Sequence, residues 1–229
     1  LQYMRIVALI PYWDNYYSTK DSMKERSIAT LGGESLVSRT IKTLNKVSQI
    51  QDVVIFSSNN TILNHVDKNL QFSFLQRNKS LDSNKTSIED VIESFLLTSD
   101  ADIVVLIHPK NPFIKSNTIQ SCINKVHDLD FDSAFVASSI RKLAWYKGKR
   151  LNYLRNSETP SLSEVEPILV ESSSVYVFTR DLFNKHRSRI GVKPYIKEIG
   201  YFEGFEVERL EDFEVADLII NAGLDKGRI

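Results

Sequence analysis

Short apolar runs rich in β-branched residues recur along this chain with amphipathic stretches between them, and that alternation restricts the fold more than any other feature. The runs are Ile6 to Ile10, Val53 to Phe56, Ile103 to Ile107, Ser133 to Ala137 and Val175 to Phe178. Runs of four or five such residues fit strands covered on both faces, as in a parallel sheet. Between them, Leu36 to Leu44, Ser87 to Leu97 and Thr118 to Val126 space their apolar residues as a helix does. Strands alternating with helices predict an α/β fold, a mainly parallel sheet built from crossover units. In open sheets of that kind the ligand side is the carboxyl end of the strands. The loop after the third run, His108-Pro109-Lys110-Asn111-Pro112, is therefore placed where a ligand would be met.

The stretch 141–171 breaks the pattern: it is polar, holds Trp145, Tyr146 and Tyr153, and has no long helical face. It is predicted to be an excursion of hairpins or loops, a lid or a partner-binding arm, within one domain spanning 1–229. The 29 Lys and Arg balance the 29 Asp and Glu, so no net field draws the chain to nucleic acid or to an anionic membrane. Cys122, the single cysteine, excludes an intramolecular disulfide and is expected to be a buried structural thiol. The six-residue apolar run near the start is too short for a signal-peptide core or a membrane span. Met4 reads as a natural initiator, which sets Leu1 to Tyr3 aside, and cytoplasmic residence is the expectation.

Three places could carry chemistry. The first strand empties at Pro11 into a polar, aromatic loop that includes Ser18 and ends near Arg26. Lys20, Lys24 and Arg26 are cations available to phosphates there, and charge-assisted hydrogen bonds contribute roughly 1.5–3 kcal/mol each. The plainer reading is a solvated surface loop. Neither a GxGxxG nor a GxxxxGK[ST] pattern is present, so neither dinucleotide nor P-loop chemistry is supported. Second, Glu206-Val207-Glu208 sets two carboxylates on one face of an extended segment, a donor pair for a hard cation such as magnesium. The solvent face of an edge strand would look the same. Third, His108 ends a buried run and could touch substrate or carry a proton near neutrality. A lone histidine is more often a hydrogen bonder, and His65, His127 and His186 read as surface residues.

Taken in order along the chain, these pieces resemble the acylneuraminate cytidylyltransferase family, which activates sialic-acid-type nonulosonates as CMP-sugars. The likeness is strongest from Ser174 to Phe183, from Arg189 to Tyr195, and from Glu203 through Glu206 and Glu208 into Glu211 to Asp217. Leu31-Gly32-Gly33-Glu34 resembles the start of the family's first helix, and His108 to Ile114 its sugar-side loop. The resemblance implies a Rossmann-like, GT-A-like nucleotidyltransferase fold with an inserted dimerisation arm at 141–171. It implies transfer of CMP from CTP to an acidic sugar with release of pyrophosphate, dependent on Mg2+ held by Glu206 and Glu208. Lys20, Lys24 and Arg26 would grip the triphosphate, with Pro11, Ser18, Arg77 and Ser87 seating the nucleotide. His108, Lys110, Asn111 and Lys193 would face the acidic sugar. The chain departs from the family pattern in its first loop, which lacks glycine, and in its acidic pair, glutamates where aspartates are usual. Asn59 and Asn84 stand where aspartate is common. Two other readings follow from these departures: a weak or inactive relative kept as a binding or regulatory subunit, or an enzyme for another acid such as a 3-deoxy-octulosonate or a phosphonate.

Overall fold

The computed structural model describes residues 4–13, 29–154 and 160–225. Strand β1 (Ile6–Pro11) is buried along its whole length and lies at the centre of a seven-stranded sheet. Its residues alternate between two cores. Ile6, Ala8 and Ile10 face one hydrophobic cluster, and Val7 and Leu9 face the other. Strand β6 (Ile103–Ile107) repeats the division, with Ile103, Val105 and Ile107 on the first side and Val104 and Leu106 on the second. A side-chain period of two with helices on both faces leaves no polar position in such strands.

Helix α1 (Leu36–Leu44) and helix α3 (Ser116–His127) cover the first face through Val37, Ile41 and Leu44 and through Ile119, Cys122, Ile123 and Val126. Helix α2 (Ile88–Thr98) covers the second with Val91, Ile92, Phe95 and Leu96. Helix α4 (Arg180–His186) adds Phe183 to that side. Cys122 is fully buried, and desolvation pushes its thiol up to about 12, so it is the inert core residue expected.

The remaining strands of the sheet are β4 (Asp52–Ser57), β5 (Ser73–Gln76), β7 (Ser133–Ile140), β10 (Ile168–Thr179) and β11 (Pro194–Ile199). The spatial order is β11-β7-β10-β6-β1-β4-β5. All neighbours are parallel except β10, which runs antiparallel to both β6 and β7. β5 and β11 lack a continuous apolar run because they are the two edges, each covered incompletely. Two small hairpins complete the strands: β2 (Thr30–Leu31) with β3 (Glu34–Ser35), and β8 (Trp145–Tyr146) with β9 (Lys149–Arg150). The second hairpin lies within the stretch 141–171, whose last residues form the start of β10.

Helix α5 (Leu210–Asn221) closes a third, smaller cluster of Leu31, Leu36, Phe113, Val207 and Ala216. The run that leads into it corrects one expectation. Residues 205–208 lie outside any strand of the sheet. Val207 is buried and its N–H donates to the Lys110 carbonyl at 2.7 Å, so the segment is pinned to the loop after β6 by a single backbone bond.

Candidate functional site

Where β6 ends, three chain segments meet. The His108 N–H donates to the Ser174 carbonyl on β10 at 2.9 Å, and Val207 docks on Lys110 from the other side. That single backbone bond carries Glu206 and Glu208 to the loop, and both turn toward Lys110. The Lys110 ammonium lies 2.7 Å from Glu206 Oε2 and 3.3 Å from Glu208 Oε1, and also donates to the Ser173 hydroxyl. Ser172 donates to the remaining Glu206 oxygen. The serines come from an irregularity in β10, where the register against β7 shifts between Glu171 and Tyr176. A bulged strand re-aims side chains that a regular ladder would alternate. These elements line a pocket of about 580 Å³ whose wall includes Ser138, Glu171, Ser172, Glu206, Glu208 and Arg209.

Beneath the loop, desolvation first, then the charges of Lys110 and Arg189, hold His108 down to about 4. The imidazole is therefore neutral through the physiological range, which corrects the expectation that it shuttles protons near neutrality. Arg189 lies 4.5 Å above the Tyr176 ring and pairs with Glu89 at 2.7 Å. The Tyr176 hydroxyl donates to Glu171 at 2.5 Å, and burial with that carboxylate raises the phenol above its ordinary range. Sequence reasoning missed Arg189, Ser172 and Ser173 as site residues. The run of three serines ahead of the apolar stretch Val175 to Phe178 was the available signal.

The residues expected at a nucleotide lie at the carboxyl ends of β1 and β4 or after them. Pro11 is the last residue of β1 and pairs with Phe56. Arg77 is buried, stacks on Trp13 at 4.6 Å and pairs with Asp82 at 2.7 Å, so its guanidinium braces this mouth. Ser87 is the N-cap of α2 and forms a capping box with Asp90. Asn59 likewise caps a short 3-10 turn, accepting from the Thr61 N–H. Ser18, Lys20, Lys24 and Arg26 lie outside the described residues.

Two residues expected at the acidic sugar are placed elsewhere. Asn111 is buried, donates to the Glu203 carbonyl at 2.7 Å and accepts from the Phe113 N–H at 3.1 Å, which commits its amide to shaping the loop. Lys193 precedes β11 beside Asp132 and the Phe131 ring. Because β11 runs parallel to β7 and begins opposite Ser133, Lys193 stands at the amino end of the strands, away from the pocket.

The acidic pair is brought together as the spacing implies, but with a cation of the protein's own between its members. Magnesium takes six oxygen donors at about 2.0–2.1 Å in near-octahedral array. Here an ammonium fills the space facing both carboxylates. Among the described residues no group of three His, Cys, Asp or Glu side chains converges on one point. This donor set, as arranged, does not fit a protein-held magnesium ion.

A cytidylyltransferase family profile matches residues 22–205. No curated protein matches the chain. Among solved structures it is similar to CMP:2-keto-3-deoxy-manno-octonic acid synthetase complexed with CTP, at 14% identity and a TM-score of 0.72, covering 96% of this chain and 99% of that one. It is also similar to 4-diphosphocytidyl-2C-methyl-D-erythritol synthase from Anaerococcus prevotii, at 13% identity and a TM-score of 0.64, covering 95% and 99%. The bifunctional IspDF of Campylobacter jejuni matches at 16% identity and a TM-score of 0.62, over 92% of this chain and 53% of that one. At these identities the likeness establishes a shared fold, the mainly parallel nucleotidyltransferase sheet described above.

Proposed function

The chain belongs to the cytidylyltransferase family, and on that premise we propose that it transfers CMP from CTP to a hydroxyl of an acidic sugar of the nonulosonate type, releasing pyrophosphate. The observation that carries the acceptor side is the pocket of about 580 Å³ beside Lys110, walled by serine hydroxyls and carboxylates. Such groups bind a polyhydroxylated molecule by its hydroxyls, the carboxylates accepting and the serines doing either. The structural relative named for an eight-carbon keto-deoxy acid, complexed with CTP, supports the same class of acceptor and the same nucleotide.

In this reading the nucleotide lies across the carboxyl ends of β1 and β4, over Pro11 and beside the Trp13 and Arg77 stack. Ser87 and the amino end of α2 flank it, and Ser18, Lys20, Lys24 and Arg26 hold its phosphates. The acceptor occupies the pocket, its acid group toward Arg209, with the Lys110 ammonium behind Glu206 and Glu208 of the wall. Its hydroxyl then attacks the α-phosphate in line. Catalysis of this type is positioning and electrostatics rather than covalent chemistry by the protein. Magnesium would enter with the triphosphate and supply charge neutralisation there, since a hard cation favours phosphate oxygens. The reading places the protein in the cytoplasm as a homodimer, joined through 141–171.

Pyrophosphate release from CTP with magnesium, assayed over a panel of nonulosonic and 3-deoxy-octulosonic acids, tests it. Release with one acid and not with neutral sugars is expected. Silence across the panel from folded protein would sink the proposal. Binding of CTP without turnover, by calorimetry, would favour the regulatory-subunit reading, which the lysine seated on the acidic pair also supports.

A further inference from the structure

We infer that Lys110 is the resident cation of the acidic pair: Glu206 and Glu208 position its ammonium and hold no divalent ion, and this built-in charge serves the pocket where a metal would otherwise be needed. Four observations carry the inference. The ammonium contacts both carboxylates, at 2.7 and 3.3 Å, so it lies where a bridging ion would lie. Its side chain and that of Glu206 are only 17% and 18% exposed, which protects the pair from screening. Its third direction is taken by the Ser173 hydroxyl, and the second Glu206 oxygen by the Ser172 hydroxyl, so the acidic group is satisfied without a metal. The backbone bond from the Val207 N–H to the Lys110 carbonyl ties the lysine and both glutamates into one unit.

Charge bookkeeping decides between lysine and metal. Two glutamates and one lysine leave one net negative charge, whereas adding a divalent ion beside the ammonium would bring two cations into contact distance. Like charges a few ångströms apart in a partly buried site disfavour each other strongly. The ion can enter only if Lys110 leaves, and leaving breaks all three of its contacts. The further claim, that this ammonium offsets the acidic wall for an anionic substrate, rests on the cytidylyltransferase reading. The claim that it displaces a metal does not.

Titration with Mn2+ in the absence of nucleotide, followed by the electron paramagnetic resonance signal of the free ion, separates the two. Wild-type protein is expected to leave Mn2+ free. Lys110→Met, of similar length and uncharged, is expected to bind about one equivalent, at least about tenfold more tightly than wild type, because one unit of repulsive charge is gone. Adding Glu206→Gln to that variant should abolish the binding, and Lys110→Arg should keep the site closed. Mn2+ binding by the wild type that Glu206→Gln removes would overturn the inference, as would Lys110→Met binding no better than wild type. Should Lys110→Met fail to fold, the wild-type and Glu206→Gln titrations decide alone. Since no turnover is measured, failure here leaves the CMP-transfer proposal standing, and failure of the pyrophosphate assay leaves this one.

Discussion

His108 shows how a single residue is defined by what surrounds it. Its ordinary value near 6.5 is brought to about 4 by desolvation and by the neighbouring cations Lys110 and Arg189. A folded value below the unfolded one means that the unfolded chain binds the proton first. The associated stability is complete above about 6.5 and declines as pH falls toward about 4. The loss amounts to at most about 3 kcal/mol over that window, at 1.36 kcal/mol per unit. Urea denaturation at pH 7.5 and at pH 4.5 should therefore show a smaller drop for His108→Gln than for wild type. Equal drops in the two proteins would refute the burial account. Ser87 poses a second question at this scale, since its position suits a phosphate contact while its hydroxyl accepts from the Asp90 N–H at 3.1 Å. Loss of an N-cap costs about 1 kcal/mol. Ser87→Ala should lower the denaturation midpoint accordingly, and a raised KM for CTP at unchanged kcat would add the nucleotide role to the capping one.

Among the elements, those legible in the sequence were the ones buried on both faces. Ile6 to Ile10 and Ile103 to Ile107 announced β1 and β6 because every residue in them is apolar, and Leu36 to Leu44 gave α1 with its bounds. The edge strands β5 and β11 left no such run, since an edge needs little apolar cover. The pairing of Glu206 with Lys110 was hidden for another reason: the partners are 96 positions apart, and local spacing carries no information about which loops a sheet brings together. Lys193 was misplaced for the same cause, because its distance from the pocket follows from the direction of β11 against β7. Gly32 and Gly33, expected only as the approach to a first helix, form the β2 to β3 turn, and the structure separates their roles. Gly32 and Gly33 both have positive φ, +57° and +82°, as a two-residue hairpin turn requires. A Cβ on Gly32 would also come within 2.7 Å of the Ile220 side chain on α5, whereas one on Gly33 meets nothing. Gly33→Ala should cost about 1 kcal/mol for the backbone strain alone. Gly32→Ala should cost about 2–3 kcal/mol, since the contact displaces the helix that follows Glu206 and Glu208. Denaturation midpoints at equal m-value give the order, and Gly33→Ala proving the worse would contradict it.

Across the whole molecule the balanced charge conceals a polarity. Residues 141–154 contain Arg141, Lys142, Lys147, Lys149 and Arg150 and no acid, while the pocket wall carries Glu171, Glu206, Glu208 and Asp212. The basic stretch also exposes aromatic side chains. Trp145 and Tyr146 are 58% and 61% exposed, with Leu151 and Leu154 beside them in the chain, and Arg150 stacks on both Trp145 and Tyr153. Exposed aromatic and arginine side chains in one patch are the composition of an interface core rather than of a solvated face. A second copy is the partner the dimer proposal requires, since each copy presents both a cationic arm and an acidic pocket. On that account light scattering should give about twice 26.3 kDa, with the dimer weakened by salt in proportion to its charged contacts. The hairpin packs chiefly on itself, through the Trp145 to Tyr153 ring contact and the bond from the Leu151 N–H to the Ala144 carbonyl. Trp145→Glu combined with Tyr146→Glu should accordingly give a monomer whose circular dichroism matches the wild type. A wild type of monomeric mass at micromolar concentration would remove the dimer from the proposal, and a double variant that stays dimeric would move the interface off this arm.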